Sequence, residues 1–167
     1  AVDTLGDWHI LVHDRQTGTT TRVSVDSAGN QANDQSYAAS ISADGRYVAF
    51  ESIAYNLVAG DSVSSYDVFV HDRQTAQTTV ASVGSFGVLG NGHSLAPDIS
   101  ADGRCVAFES EATNLVDGDS NGFRDVFVSD RETQETSRDS LGWDGTEGNN
   151  HSSASCISAD GRFVAFE

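Results

Sequence analysis

The chain has 167 residues, with 9 Lys and Arg against 25 Asp and Glu, which gives a formal net charge of −16. This acidity argues against binding to nucleic acid or to anionic membranes, because protein cations are what neutralise phosphates. No apolar run approaches the roughly 20 residues of a membrane span. The length suits one domain or part of one, and the absence of Met indicates that residues 1–167 are a processed or excised piece.

A 58-residue repeat runs through the chain without interruption. The block Ile-Ser-Ala-Asp-Gly-Arg starts at Ile41 and returns at Ile99 and Ile157, each time 58 residues later. A second block, Val-Ala-Phe-Glu, keeps the same frame at residues 48–51, 106–109 and 164–167. Two blocks in one register establish the repeat, and units of this length are typical of architectures that stack one supersecondary motif.

Within one unit the pattern predicts four strands and no helix. Residues 47–51 alternate, with Val48 and Phe50 on one face, as a half-buried strand does. Residues 67–71 alternate in the same way and are rich in β-branched and aromatic side chains. Asp-Gly at residues 44–45 predicts a type I′ hairpin turn. We predict strands A, B, C and D over about residues 36–42, 46–52, 66–72 and 77–83.

Four short antiparallel strands in a tandem unit indicate an all-β fold and a β-propeller blade. The residues 41–50, Ile-Ser-Ala-Asp-Gly-Arg-Tyr-Val-Ala-Phe, resemble the signature of the WD-like repeats in TolB-type β-propellers. The chain departs from that signature at Ala43, Ala101 and Ala159, where Pro is common. The resemblance implies a ring of six blades and favours a bacterial periplasmic or secreted protein, and it says nothing of the ligand.

The repeat frame divides this single repeat domain into two blades flanked by two halves. These are the N-terminal half blade (residues 1–30, strands C and D), the first blade (31–88), the second blade (89–146) and the C-terminal half blade (147–167, strands A and B). Three blades are too few for a propeller, which uses roughly 4–8, and open half blades expose strand edges. We therefore expect a head-to-tail homodimer that closes a six-bladed ring; the alternative is a fragment of a longer chain.

A candidate calcium loop lies at residues 117–125, Asp-Gly-Asp-Ser-Asn-Gly-Phe-Arg-Asp. Oxygen-bearing residues fall at loop positions 1, 3, 5 and 9 with Gly at 6, which suits a hard cation. Val128 at position 12 excludes a standard EF-hand. The loop resembles those of integrin-type propellers, which implies as ligands Asp117, Asp119, Asn121, the Phe123 carbonyl and Asp125. The alternative is a turn, and the recurrence of Asp67 and Asp125 favours a partly structural role for these two.

A second candidate site consists of Gln35, His93 and His151, which share one repeat position just before the innermost strand. In a propeller this position surrounds one mouth of the channel, and converging imidazoles suit a transition metal. Oligogalacturonate lyases, which are TolB-like, use a His/Gln metal site in a comparable place, but none of their catalytic motifs is present here. The alternative is that these residues, with Asn33, Asn91 and Asn149, hold the connection by hydrogen bonds.

Several weaker features complete the sequence. His13 and His71 are predicted at a solvent-facing strand end, since Ser129 replaces them in the next unit. Asp14, Asp72 and Asp130, each followed by Arg, are predicted to set the C–D turn and to form salt bridges within a blade. Cys105 occupies the position of an aromatic residue elsewhere and is interpreted as a packing residue without a disulfide.

These features predict a non-enzymatic β-propeller scaffold that binds an unknown protein or small-molecule ligand and assembles with a second copy of itself. Calcium is the cofactor that the sequence suggests. The alternative function is a metal-dependent enzyme, similar to polysaccharide lyases or hydrolases, that acts through the His/Gln ring. Functions are carried by sites placed on a fold, so the fold alone does not decide between the scaffold and the enzyme.

Overall fold

A computed structural model of the chain describes residues 6–61 and 65–167. These residues form twelve strands in four antiparallel sheets and one three-residue 3₁₀ turn at Ser85–Gly87. Within the described ranges, no helix is long and apolar enough to cross a membrane. The predicted all-β class is confirmed.

The two complete blades have the same strand bounds, offset by one repeat. The first blade comprises β3 (Ser36–Ile41), β4 (Tyr47–Ser52), β5 (Asp67–Asp72) and β6 (Gln77–Val80). The second comprises β7 (Ser94–Ile99), β8 (Cys105–Ser110), β9 (Asp125–Asp130) and β10 (Glu135–Arg138). In each blade the four strands pair in chain order as a meander. The predicted strands A to C are confirmed to within a residue, whereas strand D ends earlier than predicted.

The two half blades are two-stranded sheets. The N-terminal half blade pairs β1 (Leu11–Asp14) with β2 (Thr19–Arg22). The C-terminal half blade pairs β11 (Cys156–Ile157) with β12 (Val164–Ala165). In the part of the chain that the structure describes, β1 and β12 therefore each pair along one edge only.

The repeated Ser-x-Asp-Gly-Arg signature builds the A–B hairpin. The Ser42 hydroxyl donates to Asp44 Oδ1 (2.6 Å) and accepts from the Tyr47 N–H (2.9 Å). Asp44 Oδ1 also accepts from the Arg46 N–H at 2.9 Å. Of the two central turn residues, Asp44 and Gly45, only Gly45 has a positive φ (+71°). A type I′ turn needs a positive φ at both, so the predicted turn type is wrong. The Ser42 and Asp44 side chains stabilise a wider connection instead.

An arginine joins the two turns at the same end of each blade. Arg46 donates from Nε and Nη2 to the two carboxylate oxygens of Asp72, at 2.9 and 2.7 Å. This bidentate contact lowers the pKa of Asp72. Arg104 and Asp130 repeat it in the second blade, at 2.6 Å, and bring the pKa of Asp130 to about 2. The predicted salt bridges within blades are confirmed for Asp72 and Asp130, whereas Asp14 makes turn contacts but no ion pair among the described residues.

The core consists of aromatic pairs inside each blade. Phe50 packs on Phe69 with ring centroids 5.8 Å apart, and Phe108 packs on Phe127 at 6.0 Å. All four rings are 0 % exposed. Every residue of β5 is buried because a neighbouring blade covers each of its faces. Strands B and C carry apolar residues on both faces, and this burial on both faces accounts for them, whereas a half-buried strand was predicted.

His71 is buried, so the prediction that it lies at a solvent-facing strand end is wrong. The ring Nδ1 is 2.9 Å from the Thr78 hydroxyl, which donates in turn to the Val25 carbonyl of the N-terminal half blade. Burial lowers the pKa of His71. His13, its counterpart in the N-terminal half blade, is exposed, as predicted.

Polar contacts connect the innermost strands of successive blades. The Ser40 hydroxyl donates to Asp98 Oδ1 (2.8 Å), and the Ile157 N–H donates to Asp98 Oδ2 (2.9 Å). At the hairpin turns, the Ala43 N–H donates to the Ala101 carbonyl, and the Ala101 N–H to the Ala159 carbonyl, both at 2.9 Å. The innermost strands therefore lie side by side, as they do around a propeller axis.

Candidate functional site

His93 and His151 use the same ring nitrogen to hold the preceding blade. His93 Nδ1 accepts from the Tyr66 N–H at 3.0 Å, and His151 Nδ1 accepts from the Arg124 N–H at 2.8 Å. A neutral imidazole that accepts at Nδ1 carries its hydrogen on Nε2, which leaves no lone pair for a metal. These contacts are of the kind that the alternative, hydrogen-bonding interpretation predicts.

Gln35, the third member of the predicted ring, has different contacts. Its backbone N–H donates to Asp34 Oδ1 at 2.8 Å, and its side-chain oxygen accepts from the Tyr37 hydroxyl. Within residues 6–61 and 65–167, no three or more His, Cys, Asp and Glu side chains group in a way that could hold a metal ion. A transition metal bound by Gln35, His93 and His151 stays a prediction.

Recurring asparagines stabilise the connection that carries these residues. The Asn91 N–H donates to Asn114 Oδ1 (2.9 Å), and the Thr113 N–H donates to Asn91 Oδ1 (2.8 Å). Asn33 repeats the first contact with Asn56 at 3.0 Å. In both complete blades the D–A connection is thereby tied to the B–C loop of the same blade, which fixes the residue that follows, Gln35 or His93.

Aromatic side chains form a row beside the histidines. The row consists of Trp8, Tyr37, Tyr66 and His93, with successive ring centroids 6.4, 6.4 and 5.8 Å apart. It crosses from the N-terminal half blade through the first blade to the start of the second. Trp8 is 70 % exposed, His93 is exposed, and the two tyrosines are half-buried. We call these four residues the aromatic row.

The aromatic row was missed at the sequence level, although the repeat contains a signal for it. Trp8, Tyr66 and Arg124 share one repeat position, just before strand C, and all three are large. Arg124 substitutes a cation for the ring and pairs with Glu109 (3.2 Å) and Glu111 (3.0 Å). The large side chains at this one repeat position are the sequence signal for the aromatic row.

The surroundings of the aromatic row are acidic. Burial raises the pKa of Tyr66, and the neighbouring Tyr37, Glu51 and Asp34 add to that rise. Aromatic faces beside carboxylates and an amide attract cationic or hydroxyl-rich ligands, through π contacts and hydrogen bonds, and disfavour anions. The row is therefore suited to binding and carries no arranged nucleophile or acid–base pair.

The candidate calcium loop surrounds a cation that the chain itself supplies. The Arg138 guanidinium is 2.7 Å from Glu147, 3.1 Å from Asp119 and 3.6 Å from Asp125. The side chains of Asp119 and Asp125 are almost completely buried, and that of Arg138 is only 9 % exposed. Contacts with Ser120 and then Arg138 lower the pKa of Glu147 to about 2.

Two of the other predicted calcium ligands, Asn121 and Asp125, are engaged in hydrogen bonds. Asn121 Nδ2 donates to Asp125 Oδ2 (2.9 Å), and Asn121 Oδ1 accepts from the Phe123 N–H (2.8 Å). Asp125 Oδ1 accepts from the Ser140 hydroxyl at 2.6 Å, and Asp117 is exposed. Asp125 thus contacts Ser140 and Asn121, as a partly structural role would require. Calcium at this loop stays a prediction, and binding would require Arg138 to leave the carboxylates.

The same position in the first blade has no arginine. Val80 and Leu89 occupy the repeat positions of Arg138 and Glu147. Asp67, fully buried, accepts from the Ser82 hydroxyl at 2.7 Å. Burial raises its pKa to about 6; nearby Asp61 adds to the rise, and the Ser82 hydroxyl opposes it. Residues 62–64 of this loop lie outside the described part of the chain.

Comparison with solved structures identifies the fold. The chain is similar to TolB from Acinetobacter baumannii (TM-score 0.55, 19 % identity, 95 % of this chain and 31 % of that one). It is also similar to a TolB protein from Agrobacterium tumefaciens (0.63, 19 %, 98 % and 46 %) and to the tricorn protease (0.55, 16 %, 95 % and 13 %). The chain spans less than half the length of each. No protein-family model matches the chain, and no curated protein matches it by sequence.

Proposed function

Because the chain has the fold of a TolB-type β-propeller, we propose that it is a non-enzymatic binding module of which two copies form one six-bladed ring. Each copy contributes two complete blades and two halves, and the halves of different copies combine into blades. The observation that carries this proposal is the exposure of apolar residues in the half blades at positions that are buried in the complete blades.

Phe166 carries the argument for the C-terminal half blade. It occupies the repeat position of Phe50 and Phe108, which are 0 % exposed, yet it is itself 41 % exposed. Phe163, at the position of Tyr47, is 61 % exposed. Exposed large apolar side chains beside a free strand edge are a favoured surface for another chain.

Leu11 carries the argument for the N-terminal half blade. It occupies the position of Phe69 and Phe127, both 0 % exposed, and is 54 % exposed. In both complete blades the residue at the position of Leu11 packs against the phenylalanine at the position of Phe166. The two half blades therefore expose the two sides of one aromatic–apolar pair. This complementarity supports a second copy of the same chain as the partner.

The ligand site of the proposed module is the aromatic row. In a closed ring Trp8, Tyr66 and Arg124 would follow one another around one mouth of the channel, and each of the two copies would contribute one such set. A cationic or hydroxyl-rich ligand fits this lining and the net charge of −16. The engaged Nδ1 atoms of His93 and His151 favour binding over metal-dependent catalysis. We propose a bacterial periplasmic or secreted location on the resemblance to TolB-type propellers.

Hydrogen–deuterium exchange measured over a range of protein concentrations tests the ring. Amides of β12 that face the open edge should exchange fast in dilute solution and slowly in concentrated solution, since pairing protects them. The corresponding amides of β4 and β8 should be protected at every concentration and serve as internal controls. Exchange in β12 that is equally fast at all concentrations would overturn the proposal.

A further inference from the structure

Building on the proposed ring, we infer that Arg162 of one copy and Asp14 of the other form an ion pair that fixes the register of the junction. Arg162 occupies the position of Arg46 and Arg104, and Asp14 that of Asp72 and Asp130. Both complete blades contain this pair, at 2.7 and 2.6 Å. The half blades divide its two members between opposite ends of the chain.

In the described part of one chain, neither member is paired with the residue that binds it in the complete blades. Among residues 6–61 and 65–167, the Arg162 guanidinium is within ion-pair distance of no carboxylate and lies 4.8 Å from the Phe163 ring centroid. Asp14 Oδ1 accepts from the N–H groups of Gln16 (2.8 Å) and Thr17 (3.2 Å). Asp72 makes the same two turn contacts while binding Arg46. Asp14 is thus already oriented for an arginine.

The register of the junction follows from that of the complete blades. Strands β4 and β5 pair Val48 with His71, Ala49 with Val70 and Phe50 with Phe69, and β8 and β9 pair in the same register. Transferred by one repeat, this register pairs Ala165 with Val12 of the second copy. It also pairs Phe166 with Leu11 of the second copy, which covers the exposed side chains of both.

Three further contacts of the complete blades extend across the same junction. The Arg73 and Arg131 guanidinium groups donate to the carbonyls of Gly45 and Gly103, at 2.5 and 2.6 Å, and Arg15 would donate to Gly161 of the second copy. The chain of alanine contacts at the hairpin turns would continue from the Ala159 N–H to the Ala43 carbonyl of the second copy.

The third contact involves a glutamate at the end of strand B. Glu51 accepts from the Ala96 N–H (2.6 Å), and Glu109 accepts from the Ala154 N–H (2.8 Å). Each of these bonds joins one blade to the next. By the same spacing Glu167 would accept from the Ala38 N–H of the second copy. One transformation therefore satisfies a strand edge, an ion pair and three hydrogen bonds at once.

Mixing two charge variants tests the ion pair. Asp14→Arg alone places two arginines at each junction, and Arg162→Asp alone places two aspartates there, so each variant should be monomeric or dimerise at least 10-fold more weakly. When the two are mixed, both junctions regain opposite charges, and a heterodimer should form. Asp144→Arg changes an exposed loop residue by the same charge and should leave dimerisation unchanged. Native mass spectrometry separates the three species.

A cross-link tests the register independently, because Asp14→Arg also removes the turn contacts of Asp14. The variant Val12→Cys/Ala165→Cys, in a Cys105→Ser/Cys156→Ser background, should form a covalent dimer on oxidation, since cross-strand Cβ atoms lie about 4.5–5.5 Å apart. Val12→Cys/Val164→Cys is shifted by one residue and should not. A dimer with neither heterodimer rescue nor cross-link overturns the register alone; a protein that is monomeric throughout overturns the proposed ring as well.

Discussion

Phe108 and Phe166 are the same residue in the same repeat motif, yet one is buried in the second blade and the other is exposed in the C-terminal half blade. The difference lies in the neighbours: β8 pairs along both edges, whereas β12 pairs along one. A repeat motif supplies an apolar side chain but does not by itself bury it, because the covering strand comes from elsewhere. In the proposed ring, the half blades are therefore the part of the molecule whose stability would depend on association.

The largest expected difference between the two regions is in the effect of removing this ring. Phe108→Ala should destabilise the folded chain by about 3–5 kcal/mol, since it leaves a cavity in a packed core. Phe166→Ala should leave the chain folded and weaken dimerisation strongly. Urea unfolding measures the first effect, and sedimentation velocity over a dilution series measures the second. If Phe166→Ala dimerised like the wild type, the half blades would not meet as proposed.

The B–C loops of the two complete blades provide the next comparison. Arg138→Gln should cost about 3 kcal/mol, because it leaves buried carboxylates without their cation, whereas Val80→Ala in the first blade removes no charge. Calcium should restore part of the stability of Arg138→Gln and have a much smaller effect on the wild type. Thermal unfolding with and without about 1 mM CaCl₂ measures this stabilisation. The double variant Arg138→Gln/Asp119→Asn, which lacks one carboxylate of the loop, is the control.

An equal stabilisation of the wild type by calcium would contradict that account. It would mean that Arg138 leaves the loop at little cost and that the carboxylates of Asp119 and Asp125 are available to a divalent ion. The predicted calcium site would then gain direct support.

Asp67 and Asp125 give a smaller, pH-dependent difference. The pKa of Asp67 is raised to about 6 in the folded state, so the folded chain binds a proton more tightly than the unfolded chain. The resulting stabilisation is full below about pH 4 and is lost as the pH rises through 6. Asp67→Asn should therefore stabilise the protein by on the order of 2 kcal/mol at pH 7.5 and have little effect at pH 4.

Asp125→Asn is the matched control for that prediction. Asp125 lies 3.6 Å from the Arg138 guanidinium. Replacing its carboxylate with the neutral amide of asparagine should therefore weaken the ion pair and destabilise the protein at pH 7.5 by about 1 kcal/mol. Chemical unfolding at pH 4.0 and 7.5 compares the two variants. The same sign for both at pH 7.5 would show that the arginine does not distinguish the loops.

The fold was predictable from the sequence because its information is local and occurs three times. Alternation in residues 47–51 and the turn residues after Ile41 determine strands that end within a residue of the prediction. The turn type was not predictable, because the Ser42 hydroxyl and the Asp44 carboxylate replace the backbone geometry that Asp-Gly usually adopts. Strand D was overextended because its last residues join an inter-blade connection.

The candidate sites depend on contacts between distant residues, and these were harder to predict. Arg138 lies on β10 and reaches Asp119 in the B–C loop. The sequence signal for this contact is that Val80 and Leu89 of the first blade are both replaced by charged residues, Arg138 and Glu147, in the second. His71 is buried and contacts the Thr78 hydroxyl, which bonds to the Val25 carbonyl of the N-terminal half blade; a pattern within one strand does not reveal these contacts. The aromatic row is spread over three units, and comparison of Trp8, Tyr66 and Arg124 is the one sequence signal for it.

The mass of the purified chain in solution is the most direct test of the central claim that two copies complete each other's half blades. Sedimentation equilibrium at micromolar concentration should give about 35 kDa, twice the 17.6 kDa of one chain. The mass should not rise above this value at higher concentrations, because a closed ring has no free edge for a third copy. A mass of 17.6 kDa at every concentration, or one that grows without limit, would contradict the account.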